Sequence, residues 1–217
     1  RRFWRSRGPG TAGRTGRAAR RVSAVVRIAL LQANTGIDPG RNAEELARAA
    51  DQAAEGGAAM LFTPEMSNLL DRDRERAGQN LASERDDRVL VAMREAAAKT
   101  GLWIALGSFA FANADGSRAN RAVVIDPAGA IRTSYDKIHM FDVDVSETES
   151  YRESAGYRPG TRAVVADTDT ARIGLTICYD LRFPHLYRAL AQAGAQIITV
   201  PSAFSTGTGP AHWEILL

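Results

Sequence analysis

The chain has 217 residues, 45% hydrophobic and 24% charged, which suits one sizeable core; no apolar run reaches the roughly 18 residues of a membrane-spanning helix. Nine of its 28 basic residues and none of its acids lie in residues 1–27, so the remainder carries 19 basic against 25 acidic residues, a balance of −6. An acidic body argues against a nucleic-acid-binding surface, and a single cysteine excludes an intrachain disulfide and suits a reducing, cytoplasmic compartment.

Residues 1–25 are Arg, Gly, Ala and Ser with almost no apolar pattern. Such a segment buries too little surface to offset its ordering entropy and is expected to be a disordered tail. Three origins fit it: an Arg-rich presequence, a basic arm for nucleic acid, or sequence upstream of the true start. The lack of an amphipathic apolar face favours the last. The body, 26–217, opens with VVRIALLQ (25–32), β-branched and apolar, which predicts a strand covered on both faces. Asn42 is placed to cap a helix with Glu45 at its third position, running to about Glu55, where Gly56 and Gly57 stop it. AAMLFT (58–63) is a second buried strand, ending at Pro64 and Glu65. Residues 66–85 read as a polar loop and 86–99 as a helix, with Gly101 as its stop.

LWIALGSFA (102–110) and RAVVIDPAG (121–129) are further strands, with NADG (113–116) as the hairpin turn between them. The segment 138–162 has no clear period. ARIGLTICYD (171–180) is a strand with a polar end, and Pro184 starts a helix that runs to Ala193. AQIITVPS (195–202) is another strand, and GPAHWEILL (209–217) begins a helix with no Gly, Asn or Pro to end it. The domain 26–217 is therefore expected to be incomplete at its C-terminus. Strand–helix alternation with apolar strands predicts an α/β architecture.

In open α/β sheets functional groups gather beyond the carboxyl ends of strands. Three polar residues fall there: Glu65 after AAMLFTP, Lys137 after IRTSYD and Cys178 in GLTICYD. A buried cysteine usually serves as a small hydrophobe, but CYDLRFP turns abruptly polar, which puts the thiol at a strand exit where it can reach a cleft. A thiol needs a base or a cation beside it to react near neutral pH, and Glu65 and Lys137 are one of each. Glu153, in YRES, is a further carboxylate. The histidines His139, His185 and His212 have no paired spacing, so no metal signature arises. GxSxG, GxxxxGK[ST] and GxGxxG are all absent. Period and spacing thus give an α/β protein with a Cys/Glu/Lys site and no named reaction.

At these residues the sequence resembles the nitrilase, or carbon–nitrogen hydrolase, superfamily, from about Val26 to the end. FTPEM carries that family's glutamate at Glu65, YDKIHMFDVDV its lysine at Lys137 and GLTICYDLRFPHLYRALAQAGA its cysteine at Cys178. The second family glutamate falls at Glu153, and PSAF and GPAHWE also match. The resemblance implies a four-layer α-β-β-α sandwich, dimerising across a helical face, with no metal and no cofactor. It implies an amidase in which Glu65 takes the thiol proton, Cys178 attacks, Lys137 and the backbone N–H of Tyr179 hold the oxyanion, and Glu153 orients Lys137. The wording is most similar to the Nit branch, which implies a small-molecule amide substrate bearing a carboxylate: deaminated glutathione foremost, 2-oxoglutaramate as the alternative. Arg182 is the candidate partner for that carboxylate. Nitrile or N-carbamoyl hydrolysis, or an inactive fragment or interaction module, are the other readings.

Overall fold

The computed structural model describes residues 25–147, 149–205 and 207–217, so the tail expected over 1–25 lies outside the described residues except for Val25. A five-stranded sheet runs in the order β1 (Ile28–Leu30), β2 (Met60–Phe62), β3 (Trp103–Ala112), β4 (Arg118–Ile125) and β5 (Ile131–Asp136). The first three strands are parallel and the last two antiparallel. A three-stranded sheet has β9 (Arg172–Leu175) between β10 (Ile197–Ile198), parallel to it, and β8 (Val164–Asp167), antiparallel.

The pleat sorts the strands into two cores. Leu61, Ile104 and Val123 point outward, onto α1 (Pro39–Glu55) and α3 (Arg88–Thr100), whose Leu46, Ala50, Leu90 and Met93 meet them. Their neighbours Met60, Trp103, Ala105 and Val124 point inward and pack on Ala166, Ile173 and Leu175 of the second sheet. α4 (Pro184–Gln192) lies against β9 on the far side. The order of layers is therefore helix, sheet, sheet, helix, the expected α-β-β-α sandwich. Each buried aliphatic or aromatic side chain contributes roughly 1.5–3 kcal/mol to holding the layers together.

One irregularity places the site. The β3–β4 register shifts between Leu106 and Phe109. Before the shift the even-numbered Ile104 and Leu106 face the helices; after it the odd-numbered Phe109 and Phe111 do. Gly107 sits in the shift, where a Cβ would lie 2.1 Å from the Thr63 carbonyl oxygen and 2.5 Å from the Pro201 Cβ. Only glycine lets β3 come this close to the segment leading into Glu65.

Several elements depart from the sequence expectation. β1 is covered on one face only: Ala29 and Leu31 meet the helical core, while Ile28 is 38% and Leu30 75% exposed. It is an edge strand, and the inner core of the second sheet is built over β2 to β5. Helix α1 starts earlier than Asn42: Asp38 caps it, accepting from the Gly40 N–H at 2.8 Å, with Pro39 in the first turn. Asn42 is buried instead, donating to the carbonyls of Gly36 and Asn68, both at 2.9 Å. The expected loop 66–85 contains α2 (Arg74–Asn80), capped by Asp73; only Ala77 of it is buried, which left no apolar period to read. The aperiodic segment 138–162 holds a short hairpin, β6 (Asp142–Asp144) and β7 (Ser150–Arg152). Strand 195–202 is ladder-paired only at Ile197 and Ile198, because Pro201 turns aside to accept the Cys178 N–H at 2.8 Å. The final helix is α5 (Gly209–Leu216).

Candidate active site

Glu65, Lys137 and Cys178 each lie a few residues beyond the end of a strand: β2, β5 and β9 respectively. Glu153 opens a 3-10 turn directly after β7. These four predicted residues meet in one cluster at the floor of a cavity of about 960 Å³. Exposure is 6% for Glu65, 2% for Lys137 and 7% for Cys178.

The Lys137 ammonium donates to Glu153 Oε2 at 2.8 Å and Oε1 at 3.1 Å, and to Glu65 Oε1 at 3.3 Å. Glu65 Oε2 accepts from the Ala203 N–H at 2.8 Å, and Glu153 Oε2 from the Phe141 N–H at 2.7 Å. Burial by itself would depress the lysine, but the Glu65 and Glu153 carboxylates outweigh it and hold the ammonium well above the usual lysine range. Lys137 is therefore a fixed cation. The Cys178 thiol is pushed well above its usual value, first by burial and then by the Glu65 carboxylate, which accepts a hydrogen bond from it; Lys137 pulls the other way. The resting site is thus a neutral thiol with a base in contact and a cation alongside.

Backbone strain marks the same two places. Among the described residues only Met66 (φ 54°) and Cys178 (φ 48°) are non-glycine residues in the left-handed region. Met66 follows Glu65, and its N–H donates to Ser108 Oγ at 3.0 Å. Such conformations cost on the order of 1–3 kcal/mol each and persist where surrounding contacts enforce them.

One site residue had no sequence signal. Asn120 of β4 is fully buried, and its amide nitrogen donates to Glu65 Oε1 and to Glu153 Oε1, both at 3.1 Å. Its backbone carbonyl accepts the Lys137 N–H at 2.9 Å, and its Oδ1 is the buried side-chain oxygen without a partner among the described residues. An asparagine between two arginines of RANRAVVI reads as a surface residue, although the strand period puts it on the same face as the buried Ala122 and Val124.

Tyr179 and Arg182 do not line the larger cavity. Both line a second cavity of about 430 Å³ that also reaches Cys178, on the other side of Phe141 and Phe204. The Tyr179 ring meets Phe141 and Phe183 edge-on, at 5.1 and 5.5 Å. Arg182 is exposed and donates to His212 Nδ1 at 2.5 Å. Besides Lys137, the larger cavity is lined by Arg72, Arg74 and Arg152; Arg74 donates to the Arg152 carbonyl and Arg152 pairs with Asp144, whereas Arg72 has no hydrogen bond or ion pair among the described residues. No group of three or more metal-ligating side chains occurs among the described residues.

A nucleophile-capable thiol, two carboxylates and an ammonium at the opening of a four-layer sandwich define a hydrolase class, and comparison with known proteins agrees. Residues 27–217 match the carbon–nitrogen hydrolase family. The chain is 39% identical over 193 residues to the deaminated glutathione amidase of Yersinia enterocolitica, covering 88% of this chain and 67% of that one. It is 35% identical over 195 residues to the protein of that name in Homo sapiens, covering 88% and 59%. The structure resembles the NitFhit protein of C. elegans, with a TM-score of 0.79 at 30% identity, over 89% of this chain and 48% of that one. It also resembles a mutant of the amidase from Nesterenkonia sp. AN1 that shows Michael addition of acrylamide at the active-site cysteine (TM-score 0.73, 27% identity, 86% and 70% covered). The chain belongs to the carbon–nitrogen hydrolase family. It spans about three-fifths to two-thirds of the length of these curated relatives.

Proposed function

We propose that this protein is a cysteine-dependent amidase that hydrolyses an amide of a small carboxylate-bearing substrate, deaminated glutathione foremost, to the acid and the freed amine, which is ammonia where the amide is primary, as in 2-oxoglutaramate. The observation that carries this reading is the Cys178 thiol in contact with Glu65 and beside the doubly paired Lys137 ammonium. Because the thiol rests protonated, its proton passes to Glu65 as the sulfur attacks the amide carbon. The oxyanion is held by Lys137 and the backbone N–H of Tyr179, each such donor being worth about 3–4 kcal/mol of barrier. Glu65 returns the proton to the departing nitrogen, the amine leaves (ammonia from a primary amide), and a thioester remains on Cys178. Glu65 then takes a proton from water, which attacks the thioester; the acid leaves and the thiol recovers its proton. Glu153 keeps Lys137 in place.

Relatives named deaminated glutathione amidase support the substrate. So does cationic lining: Arg72 in the larger cavity and Arg182 in the smaller are the candidates to pair with a substrate carboxylate. The same reading takes residues 26–217 as one catalytic domain, acting in the cytoplasm as a homodimer without metal or cofactor. The test is product release from deaminated glutathione (the freed amine) and from 2-oxoglutaramate, a neutral amide, a nitrile and an N-carbamoyl compound (ammonia), with Cys178→Ala as control. Activity confined to the carboxylate-bearing amides and lost in Cys178→Ala is expected. Equal activity in Cys178→Ala refutes the mechanism, and a preference for any other substrate refutes the assignment.

A further inference from the structure

Asp180 is a fully buried carboxylate that the reaction just described does not use. Four donors converge on it. Oδ2 accepts from the Ile177 N–H at 2.9 Å and from the Tyr135 hydroxyl at 2.7 Å. Oδ1 accepts from the His139 N–H at 3.1 Å and meets His139 Nδ1 at 2.6 Å. The Tyr135 hydroxyl in turn receives the Ile138 N–H at 3.3 Å, and the His139 ring stacks on Phe183 at 3.6 Å.

A carboxylate that merely closed its own turn would need only the Ile177 contact, three residues back. Here the remaining three donors come from residues 135–139, the segment that carries Lys137. The carboxylate therefore ties the turn holding the nucleophile to the strand exit holding the ammonium. That turn has to be held, because Cys178 occupies a left-handed backbone conformation. Burial first, and the Asp180 charge second, push the Tyr135 hydroxyl far above its usual value, so it remains a donor.

We infer that Asp180 is a positioning residue that sets the Cys178 sulfur against the Lys137 ammonium, with Tyr135 and His139 as its braces. It touches no substrate and acts through both residues. For its turnover arm the inference rests on the amidase reading; for its thiol arm it does not.

Asp180→Asn tests it cleanly. Whichever way the new amide turns, its NH2 faces a backbone N–H, that of Ile177 or that of His139, so one strut is lost at nearly unchanged volume. A displacement of about 1 Å between reacting groups costs on the order of 100-fold in rate, so kcat should fall about 100-fold with KM within about three-fold. Tyr135→Phe removes an outer brace and should lower kcat about ten-fold, at the lower end of what a hydrogen bond to a charged group is worth, without unfolding the chain. The distinguishing measurement is a double-mutant cycle with Lys137→Met. If Asp180 works by aligning thiol and ammonium, Asp180→Asn costs little once the ammonium is gone. Adduct formation with acrylamide at Cys178, followed by intact mass, gives the same cycle independently of turnover. Adduct formation in a wild-type chain that hydrolyses no amide would sink the amidase reading while leaving the cycle to judge Asp180. Wild-type kcat and adduct rate per folded molecule in Asp180→Asn, with only a lower melting temperature, or strict additivity with Lys137→Met, would overturn the inference.

Discussion

Replacing Asn120 by Ala strips the amide that spans Glu65 and Glu153. Two hydrogen bonds to carboxylates are lost, each worth about 1.5–3 kcal/mol. Against this, the buried Asn120 Oδ1 has no partner, and removing it relieves a desolvation cost of about 1–3 kcal/mol. The two effects leave a net destabilisation of about 2–3 kcal/mol at the middle of those ranges. The catalytic effect should be larger, because Glu65 then keeps only the Ala203 N–H at 2.8 Å and the 3.3 Å contact to Lys137, and its carboxylate can turn about the Ala203 bond away from the thiol. A kcat about 100-fold lower with KM little changed is the expected result, measured as release of the freed amine from deaminated glutathione or of ammonia from 2-oxoglutaramate, alongside a urea melt. Asn120→Asp sharpens the reasoning. It sets a third carboxylate against two, each pair repelling by about 4 kcal/mol at an effective dielectric of 20 until a proton is taken up. The raised folded-state pKa means that this destabilisation grows as pH rises from about 4 and is relieved on acidification. An Asn120→Ala enzyme with wild-type kcat would show that Glu65 is held without the amide, and would refute the reasoning.

Two further outcomes follow from burial and charge. The Glu65 carboxylate is the second cause, after burial, of the raised Cys178 thiol, so Glu65→Gln should lower that pKa and carry the iodoacetamide alkylation profile to lower pH. The same variant should lose turnover by about 10²–10⁴-fold, the usual worth of a general base; slower alkylation at every pH would contradict the assignment. Phe109 is fully buried after the β3 shift and meets Phe111 at 5.9 Å, so Phe109→Ala should cost about 3–5 kcal/mol in chemical denaturation. A loss below about 1 kcal/mol would mean that the outer core closes around the cavity.

What the sequence shows about this site depends on how local each signal is. Glu65 and Cys178 are legible because each follows an apolar run, and a polar residue at a strand exit is a one-dimensional pattern; Lys137 follows the mixed segment IRTSYD, and the family resemblance is what singles it out. Glu153 follows a three-residue strand in an aperiodic segment, and only the family resemblance singles it out. Asn120 is hidden because its partners lie 55 and 33 residues away. His139 lacked a companion for the same reason: Asp180 is 41 residues further on. The exposed face of β1 was misread because a β-branched apolar run looks the same at the edge of a sheet as at its centre.

The cluster holds two carboxylates, one ammonium and a thiol that rests protonated, and this sets the order of the chemistry. Burial and the Glu65 carboxylate disfavour a free thiolate despite Lys137, so on the amidase reading charge appears on sulfur only as the proton moves to Glu65 and the carbonyl arrives. That timing demands alignment more than it demands a low thiol pKa, and the structure meets the demand with ties between loops and inner strands. Glu65 is held by Ala203 and Asn120, with Ser108 fixing the residue after it. Lys137 is held through its backbone by Asn120 and through its side chain by Glu153. Cys178 is held by Pro201 and, through its turn, by Asp180. A substitution at any of these ties should therefore appear in kcat before it appears in KM. A substitution at Arg72 or Arg182, which face the cavities rather than the thiol, should do the reverse and only for carboxylate-bearing amides. Measuring both classes on one charged and one neutral amide separates alignment from recognition.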